Sequence, residues 1–186
     1  MVNYKTKKPY ELTLVALTTA VICILGPFAF ALPFSPIPFT LGLLGVFLAT
    51  FLLGPRLGTI SCLLYVLMGT IGLPVFSGFT GGIAVPLGPS GGYLLGYLLI
   101  PICCFPFRKI NAFQLLKILP GALLGLLLCY LCGTFWLSYQ LGLSFHQAFL
   151  IGTLPYVPFD FIKLLVAYFM SNTIQKRLTK ANLFIH

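Results

Sequence analysis

The chain has 186 residues, of which 59% are hydrophobic and 7% are charged. A soluble domain typically carries about 25% charged residues, so this composition cannot cover a surface that faces water. The formal net charge is +9, but the basic residues lie between apolar segments and do not form one patch, which argues against nucleic-acid binding. The long apolar runs instead predict an all-α integral membrane protein with a single domain over residues 1–186.

Six apolar segments follow one another, and each predicts a transmembrane helix. The first three end at glycine or proline. The first follows three lysines and has an alternative interpretation as a signal peptide. Its apolar run from Leu12 to Leu32 is 21 residues long, however, whereas a signal-peptide core has about 7–15. Pro155 and Pro158 predict that the sixth helix is kinked or begins late. The predicted helices cover about residues 11–32, 38–54, 57–73, 93–107, 119–138 and 147–171.

The segment from Pro74 to Gly92, between the third and fourth predicted helices, differs in character from the rest of the chain. Seven glycines or prolines fall between Gly81 and Gly92 alone, which excludes a regular helix. The segment carries no charge, so it does not resemble a solvated loop. Non-helical backbone near a membrane is tolerated only where it is buried in protein or lines a cavity. We therefore predict a capping or re-entrant segment that forms part of a site.

The charges predict the orientation of the chain. Cytoplasmic loops of membrane proteins collect Lys and Arg, and with six spans ten of the eleven basic residues fall on one side. Both termini are therefore predicted to be cytoplasmic, and the glycine- and proline-rich segment is predicted to face outward. The ten residues are Lys5, Lys7, Lys8, Arg56, Arg108, Lys109, Lys117, Lys176, Arg177 and Lys180.

Asp160 and Lys163 are the charged residues predicted to lie deep within a span. Three positions apart on a helix, they share one face. Each would cost about 2.5–3.5 kcal/mol at the centre of a membrane helix, so both must face the bundle or a cavity. We favour a polar ligand pocket in which Asp160 accepts hydrogen bonds and Lys163 receives an anion. A mutually neutralising structural pair is the alternative. Tyr93 is either a further pocket residue or an interfacial tyrosine.

Motifs for metals and nucleotides are not found. The sequence has no P-loop, no H-E-x-x-H motif and no paired carboxylates for acid–base work, and His146 stands alone in a predicted outer loop. Cys129 and Cys132 form a C-x-x-C on an apolar helix, where packing is favoured over metal or redox chemistry. We predict no catalytic residues, no metal site and no cofactor. Ala16 and Ala20 have the small-x-x-x-small spacing that allows close helix contact.

Several motifs spread over nearly the whole chain resemble the BioY family, the biotin-specific substrate-binding components of energy-coupling-factor vitamin transporters. The long glycine segment and the final motif are specific in combination. The sequence departs from the family at two positions: the family often has a glutamine where Gly42 stands and a second glycine or a small polar residue where Phe79 stands. The motifs are Ser35-Pro-Ile-Pro-Phe-Thr-Leu, Leu44-Gly-Val, Leu53-Gly-Pro-Arg-Leu-Gly58, Gly72-Leu-Pro-Val-Phe-Ser-Gly, Gly81-Gly, Leu87-Gly-Pro-Ser-Gly-Gly-Tyr93 and Pro155-x-x-Pro-x-Asp-x-x-Lys163.

The resemblance implies a six-helix bundle with an outward-opening biotin pocket. It implies that Asp160 binds the ureido ring, that Lys163 binds the carboxylate end, and that Ala16 and Ala20 meet a transmembrane coupling subunit. The residues agree with this implication, because an acceptor acid, a cation and apolar walls complement the three parts of biotin. Further contacts are implied for Phe79, Thr80, Gly81, Gly82 and Tyr93.

We therefore expect a multi-pass protein of the bacterial cytoplasmic membrane that captures biotin, works with a coupling subunit and two ATP-binding-cassette ATPases, and binds no nucleic acid. One alternative is a solitary biotin carrier that needs no ATPases. A second is a membrane enzyme or assembly factor that uses Asp160 and Lys163, although it lacks a second catalytic group.

Overall fold

The protein is described by a computed structural model that covers residues 4–33, 35–107 and 117–180. Within these ranges it is helical apart from one short hairpin and the connecting segments, which confirms the predicted all-α class. The α-helices are α1 (Tyr4–Leu25), α2 (Gly42–Thr70), α3 (Ala84–Leu87), α4 (Gly91–Cys103), α5 (Leu119–Leu141), α6 (Phe145–Gly152) and α7 (Val157–Lys180), with strands β1 (Ala29–Phe30) and β2 (Phe39–Thr40) and a 3-10 helix at Phe105–Phe107.

Helix α1 ends at Leu25, seven residues before the predicted end at residue 32. The correction has a local cause: Gly26 and Pro27 follow the last helical residue, and proline has no N–H to continue the ladder. The chain beyond forms an antiparallel hairpin in which Ala29 pairs with Thr40. The Thr40 hydroxyl also donates to the Gly26 carbonyl over 2.8 Å, which fixes the hairpin to the end of α1.

The second and third predicted helices form one element, α2, whose backbone breaks at Gly54. Gly54 has φ 80° and ψ 178°, a conformation in which a side chain would be strained. The two halves fold back on each other: a Cβ placed on Gly58 would lie 3.0 Å from the Thr50 Cα atom. Eight residues along a straight helix would be separated by about 12 Å. The predicted turn at Gly54 and Pro55 therefore occurs without an intervening loop.

The segment from Pro74 to Gly92 is not wholly non-helical, because α3 forms a single turn within it. Phe76 and Thr80 form an isolated bridge before that turn. Helix α4 ends at Cys103 and gives way to the 3-10 turn, so the predicted fourth helix is too long at its end. Arg108 and Lys109, which contribute to the predicted charge pattern, lie outside the described residues.

The sixth predicted helix is two helices, α6 and α7. The intervening residues include Pro155, which explains the interruption, whereas Pro158 is tolerated in the first turn of α7. Helix α6 begins with a capping box in which the Ser144 side chain accepts from the Gln147 N–H. Helix α5 ends at Leu141 and is capped by Gly142, which has φ 64°.

Helix α2 is central and packs against α1, α4 and α7, while α5 packs against α4 and α6. The contact between α4 and α5 is close because glycines lie on both sides. A Cβ on Gly96 would lie 2.6 Å from Cys129 Sγ, and one on Gly125 would lie 2.5 Å from Ile100 Cα. Among the described helices, α2, α5 and α7 are long and apolar enough to cross a membrane. The count of six spans stays a prediction.

Candidate functional site

A cavity of about 210 Å³ lies among α2, α4, α5, α7, the hairpin and the Pro74–Gly92 segment. Its walls are mainly apolar and aromatic, with hydroxyl groups and one ion pair among them. This is the usual composition of a small-molecule site. The lining residues are Ile37, Pro38, Thr40, Leu43, Tyr65, Phe76, Ser77, Thr80, Val85, Ser90, Tyr93, Leu94, Tyr97, Cys129, Tyr130, Gly152, Tyr156, Asp160 and Lys163.

Asp160 and Lys163 line the cavity together, as their spacing predicts. The Lys163 Nζ atom lies 2.7 Å from Asp160 Oδ1, and the two side chains are only 7% and 8% exposed. Lys163 also donates to the Thr40 carbonyl over 2.7 Å, and its ammonium lies 3.8 Å from the centre of the Phe39 ring. Burial makes these partners necessary, because an unpaired charge would be costly here.

Tyr130 on α5 is a site residue that the sequence did not single out. Its hydroxyl donates to Asp160 Oδ2 over 2.8 Å, so both carboxylate oxygens have a partner. No helical or strand spacing relates residues 30 positions apart on different helices. The available signal was weaker: a tyrosine within an apolar span whose hydroxyl needs a partner when buried.

Tyr93, near the start of α4, is buried and lines the cavity. Its hydroxyl lies 3.0 Å from Thr153 Oγ1, which in turn lies 2.7 Å from Thr134 Oγ1. This buried chain of hydroxyl groups connects α4, α5 and the connection between α6 and α7. The environment differs from that of an interfacial tyrosine, which exposes its polar end to water.

The Pro74–Gly92 segment contributes Ser77, Thr80, Val85 and Ser90 to the cavity. Three of its predicted ligand contacts, Phe79, Gly81 and Gly82, lie outside the lining. Each has a visible structural role instead, and their role in binding stays a prediction.

Phe79 has φ 59°, is 64% exposed and packs edge-on against Phe28 with the ring centres 6.1 Å apart. Gly82 has φ 99° and donates to the Gly69 carbonyl over 2.7 Å. Gly81 sits so close to the Leu73 carbonyl that any side chain would collide with it.

Two side chains of α5 hold the end of α3 in place. Trp136 Nε1 donates to the Gly88 carbonyl over 2.8 Å, and Gln140 Nε2 donates to the Leu87 carbonyl over 2.6 Å. The bond from Gln140 satisfies the carbonyl of the last residue of α3. The bond from Trp136 adds a second donor to the Gly88 carbonyl, which also accepts the Gly91 N–H. The two bonds also position the chain between Val85 and Ser90, both of which line the cavity.

Ala16 and Ala20 lie on the exposed face of α1 and do not line the cavity. The opposite face of the same helix carries Thr18 and Thr19, which are buried against α2. Thr18 Oγ1 lies 2.8 Å from Ser61 Oγ. The two alanines are thus available to another protein or to lipid.

Comparison with known proteins agrees with this architecture. A probable biotin transporter BioY of Pyrococcus horikoshii is 37% identical over 90% of this chain and 98% of its own length. The biotin transporter BioY of Thermotoga maritima is 37% identical over 78% of this chain and 85% of its own. A crystal structure of the S-component for biotin from an ECF-type ABC transporter has a TM-score of 0.81 at 34% identity, with 95% of each chain covered.

These relatives carry the names of transporters and not of enzymes, which confirms the expected class of protein. The apolar spans of α2, α5 and α7 agree with a membrane transporter. The family match extends over residues 2–180, so that nearly the whole chain is included. This chain is therefore a member of the BioY family.

Proposed function

We propose that the protein captures biotin in the cavity and acts as the substrate-binding component of an energy-coupling-factor transporter. The observation that carries the proposal is the buried pair of Asp160 and Lys163 in a cavity with aromatic walls. The names of the homologous transporters and of the similar solved structure support biotin as the ligand.

The chemistry of biotin matches the donors and acceptors of this cavity. Its ureido ring presents N–H groups, and a carboxylate such as that of Asp160 accepts hydrogen bonds from such groups well. Its carboxylate suits Lys163: an ammonium has three N–H donors, and the contacts to Asp160 and Thr40 use two of them. The apolar body of the ligand would lie against aromatic and aliphatic walls such as Tyr97, Phe76 and Leu43.

The remaining predicted binding residues have two kinds of role in this proposal. Tyr93 and Thr80 contribute hydroxyl-bearing side chains to the wall. Phe79, Gly81 and Gly82 act by shaping the segment that carries Thr80, as their backbone conformations and close contacts indicate. Their substitution would then affect biotin through the position of that segment.

Energy for uptake comes, in this proposal, from separate subunits, because the sequence has no P-loop. Ala16 and Ala20 are the proposed contact with the transmembrane coupling subunit, and two ATPases complete the complex. We place the protein in the bacterial cytoplasmic membrane with six spans and both termini inside. On α7, Lys176 follows Lys163 by 13 residues, about 20 Å along a helix, which supports a cavity remote from the basic cytoplasmic end.

Biotin binding to the purified, detergent-solubilised protein tests the ligand and the site together. We expect binding by the intact chain and strong loss in Asp160→Asn and in Lys163→Ala. Absence of binding by the folded, intact chain would reject biotin as the ligand. Uptake in cells with and without the coupling subunit and ATPases then tests energisation: equal uptake in both would favour the solitary carrier.

A further inference from the structure

Tyr130 and Lys163 hold opposite oxygens of the same buried carboxylate. Lys163 Nζ bonds to Asp160 Oδ1 at 2.7 Å, and the Tyr130 hydroxyl bonds to Oδ2 at 2.8 Å. Lys163 belongs to the same helix as Asp160 and moves with it. Tyr130 belongs to α5, so its hydroxyl bond ties the carboxylate to a different wall of the cavity.

The orientation of a carboxylate about its last torsion is weakly defined without external partners, because rotation at an sp³–sp² bond has a broad energy minimum. A donor on each oxygen restricts that rotation. Asp160 retains acceptor capacity, since an ionised carboxylate offers about four lone-pair sites. The direction of the remaining sites depends on where Tyr130 and Lys163 hold the two oxygens.

We propose that Tyr130 is a positioning residue that orients the Asp160 carboxylate toward the N–H groups of the ligand's ring. The inference rests on biotin binding, as proposed above. Tyr130 acts through Asp160, so its effect on ligand affinity depends on the Asp160 carboxylate. It does not depend on whether the ligand itself carries a free carboxylate. Preorganisation of this kind raises affinity because the restriction is already present before the ligand binds.

The test is a double-mutant cycle with the full-length protein in detergent, with dissociation constants measured for biotin and biotin methyl ester. Tyr130→Phe removes only the hydroxyl group. We expect it to weaken the binding of both ligands about tenfold, which is the loss typical of one hydrogen bond to a charged group. In an Asp160→Ala background, Tyr130→Phe should change either affinity by less than twofold, because no acceptor oxygen remains in the side chain at position 160.

Tyr93→Phe is the matched control, since it removes a hydroxyl from the same cavity that bonds to Thr153 and not to Asp160. Its effect should be the same in the wild-type and Asp160→Ala backgrounds. If Tyr130 had only a structural role, Tyr130→Phe would likewise change the affinity equally in the two backgrounds.

The outcomes separate the two proposals. If the wild-type protein fails to bind biotin, the proposed function is wrong and the inference falls with it. If the wild type binds and Tyr130→Phe binds within twofold, only the inference is overturned. An equal loss in both backgrounds overturns it as well. If Tyr130→Phe elutes as aggregate in detergent, the same dissociation constants are measured in membrane vesicles that contain each variant. There too, loss in the wild-type background alone supports the inference and any other pattern overturns it.

Discussion

The side-chain amide of Gln175 on α7 donates a hydrogen bond over 2.7 Å to the backbone carbonyl of Phe51 on α2. In a continuous helix this carbonyl would accept the N–H of the residue four positions later, which is Pro55 and has no N–H. Gln175 therefore supplies, from a neighbouring helix, the donor that the break at Gly54 and Pro55 removes. The bond fixes the middle of α2 to the distal part of α7.

Gln175→Met should lower the free energy of unfolding by about 1–3 kcal/mol, the usual cost of leaving a buried acceptor without its donor. The measurement is the thermal unfolding midpoint in detergent. Thr173→Val is the control, because Thr173 is exposed and bonds within its own helix. It should shift the free energy by less than about 0.5 kcal/mol. Equal midpoints for Gln175→Met and wild type would contradict the role of the amide.

The buried pair predicts a difference between single and double variants. Lys163→Met leaves the Asp160 charge buried without its cation, which typically costs about 3–5 kcal/mol. Asp160→Asn conversely leaves the Lys163 charge buried without its anion. Because the double variant Asp160→Asn/Lys163→Met has no buried charge, it should unfold at a higher temperature than Lys163→Met alone while still failing to bind biotin.

A double variant no more stable than Lys163→Met would show that the pair does not set stability through mutual neutralisation. Recovery of biotin binding by the stable double variant would remove both residues from the proposed site.

Lys163 should account for the preference for a free carboxylate. In the wild type, biotin should bind about ten- to hundredfold more tightly than its methyl ester, the value of one hydrogen bond between charged groups. In Lys163→Gln the two ligands should bind within about threefold of each other. The quantity compared is the ratio of the affinities for biotin and for its methyl ester within each variant. A variant that loses affinity for both ligands equally keeps this ratio unchanged. Asp160→Asn is the control and should keep the preference; an unchanged ratio in Lys163→Gln would exclude Lys163 as the partner.

Ala16 and Ala20 should affect coupling without affecting capture. Replacing both with leucine adds bulk to an exposed helix face outside the cavity, so biotin binding by the isolated protein should be unchanged. Association with the coupling subunit, measured by co-purification, should be lost because small residues permit close helix approach. Leu127→Trp, which adds bulk at an exposed position of α5 outside the cavity, is the control. Normal co-purification of the variant with leucine at positions 16 and 20 would show that the interface with the coupling subunit lies elsewhere.

The helical class and the pairing of Asp160 with Lys163 could be predicted from the sequence, because both depend on local properties. Apolar runs require helices in lipid, and a three-residue spacing puts two charges on one helix face. The end of α1 and the start of α7 were harder to predict. Both depend on which of several prolines the chain accommodates within a helix: Pro158 lies inside α7, whereas Pro155 lies between α6 and α7.

The missing part of the site depends on contacts between distant parts of the chain. Tyr130 reaches Asp160 from α5, and the Thr40 carbonyl reaches Lys163 across 123 positions. A backbone carbonyl carries no residue-specific signal, so no motif could have identified Thr40. Conversely, Gly81 and Gly82 attract attention in the sequence as possible ligand contacts, but their described contacts are with the protein backbone.

The glycines between α4 and α5 also limit how the cavity could be redesigned for a bulkier cargo. Gly96 and Gly125 lie between the two helices and outside the cavity lining, and they leave no space there for an added methyl group. Leu43 and Phe76, on the side of α2, are full-sized side chains that reach the cavity. Variants selected for larger vitamin analogues should therefore keep the glycine-packed contact between α4 and α5 intact and accumulate smaller residues among the lining side chains, such as Leu43 and Phe76.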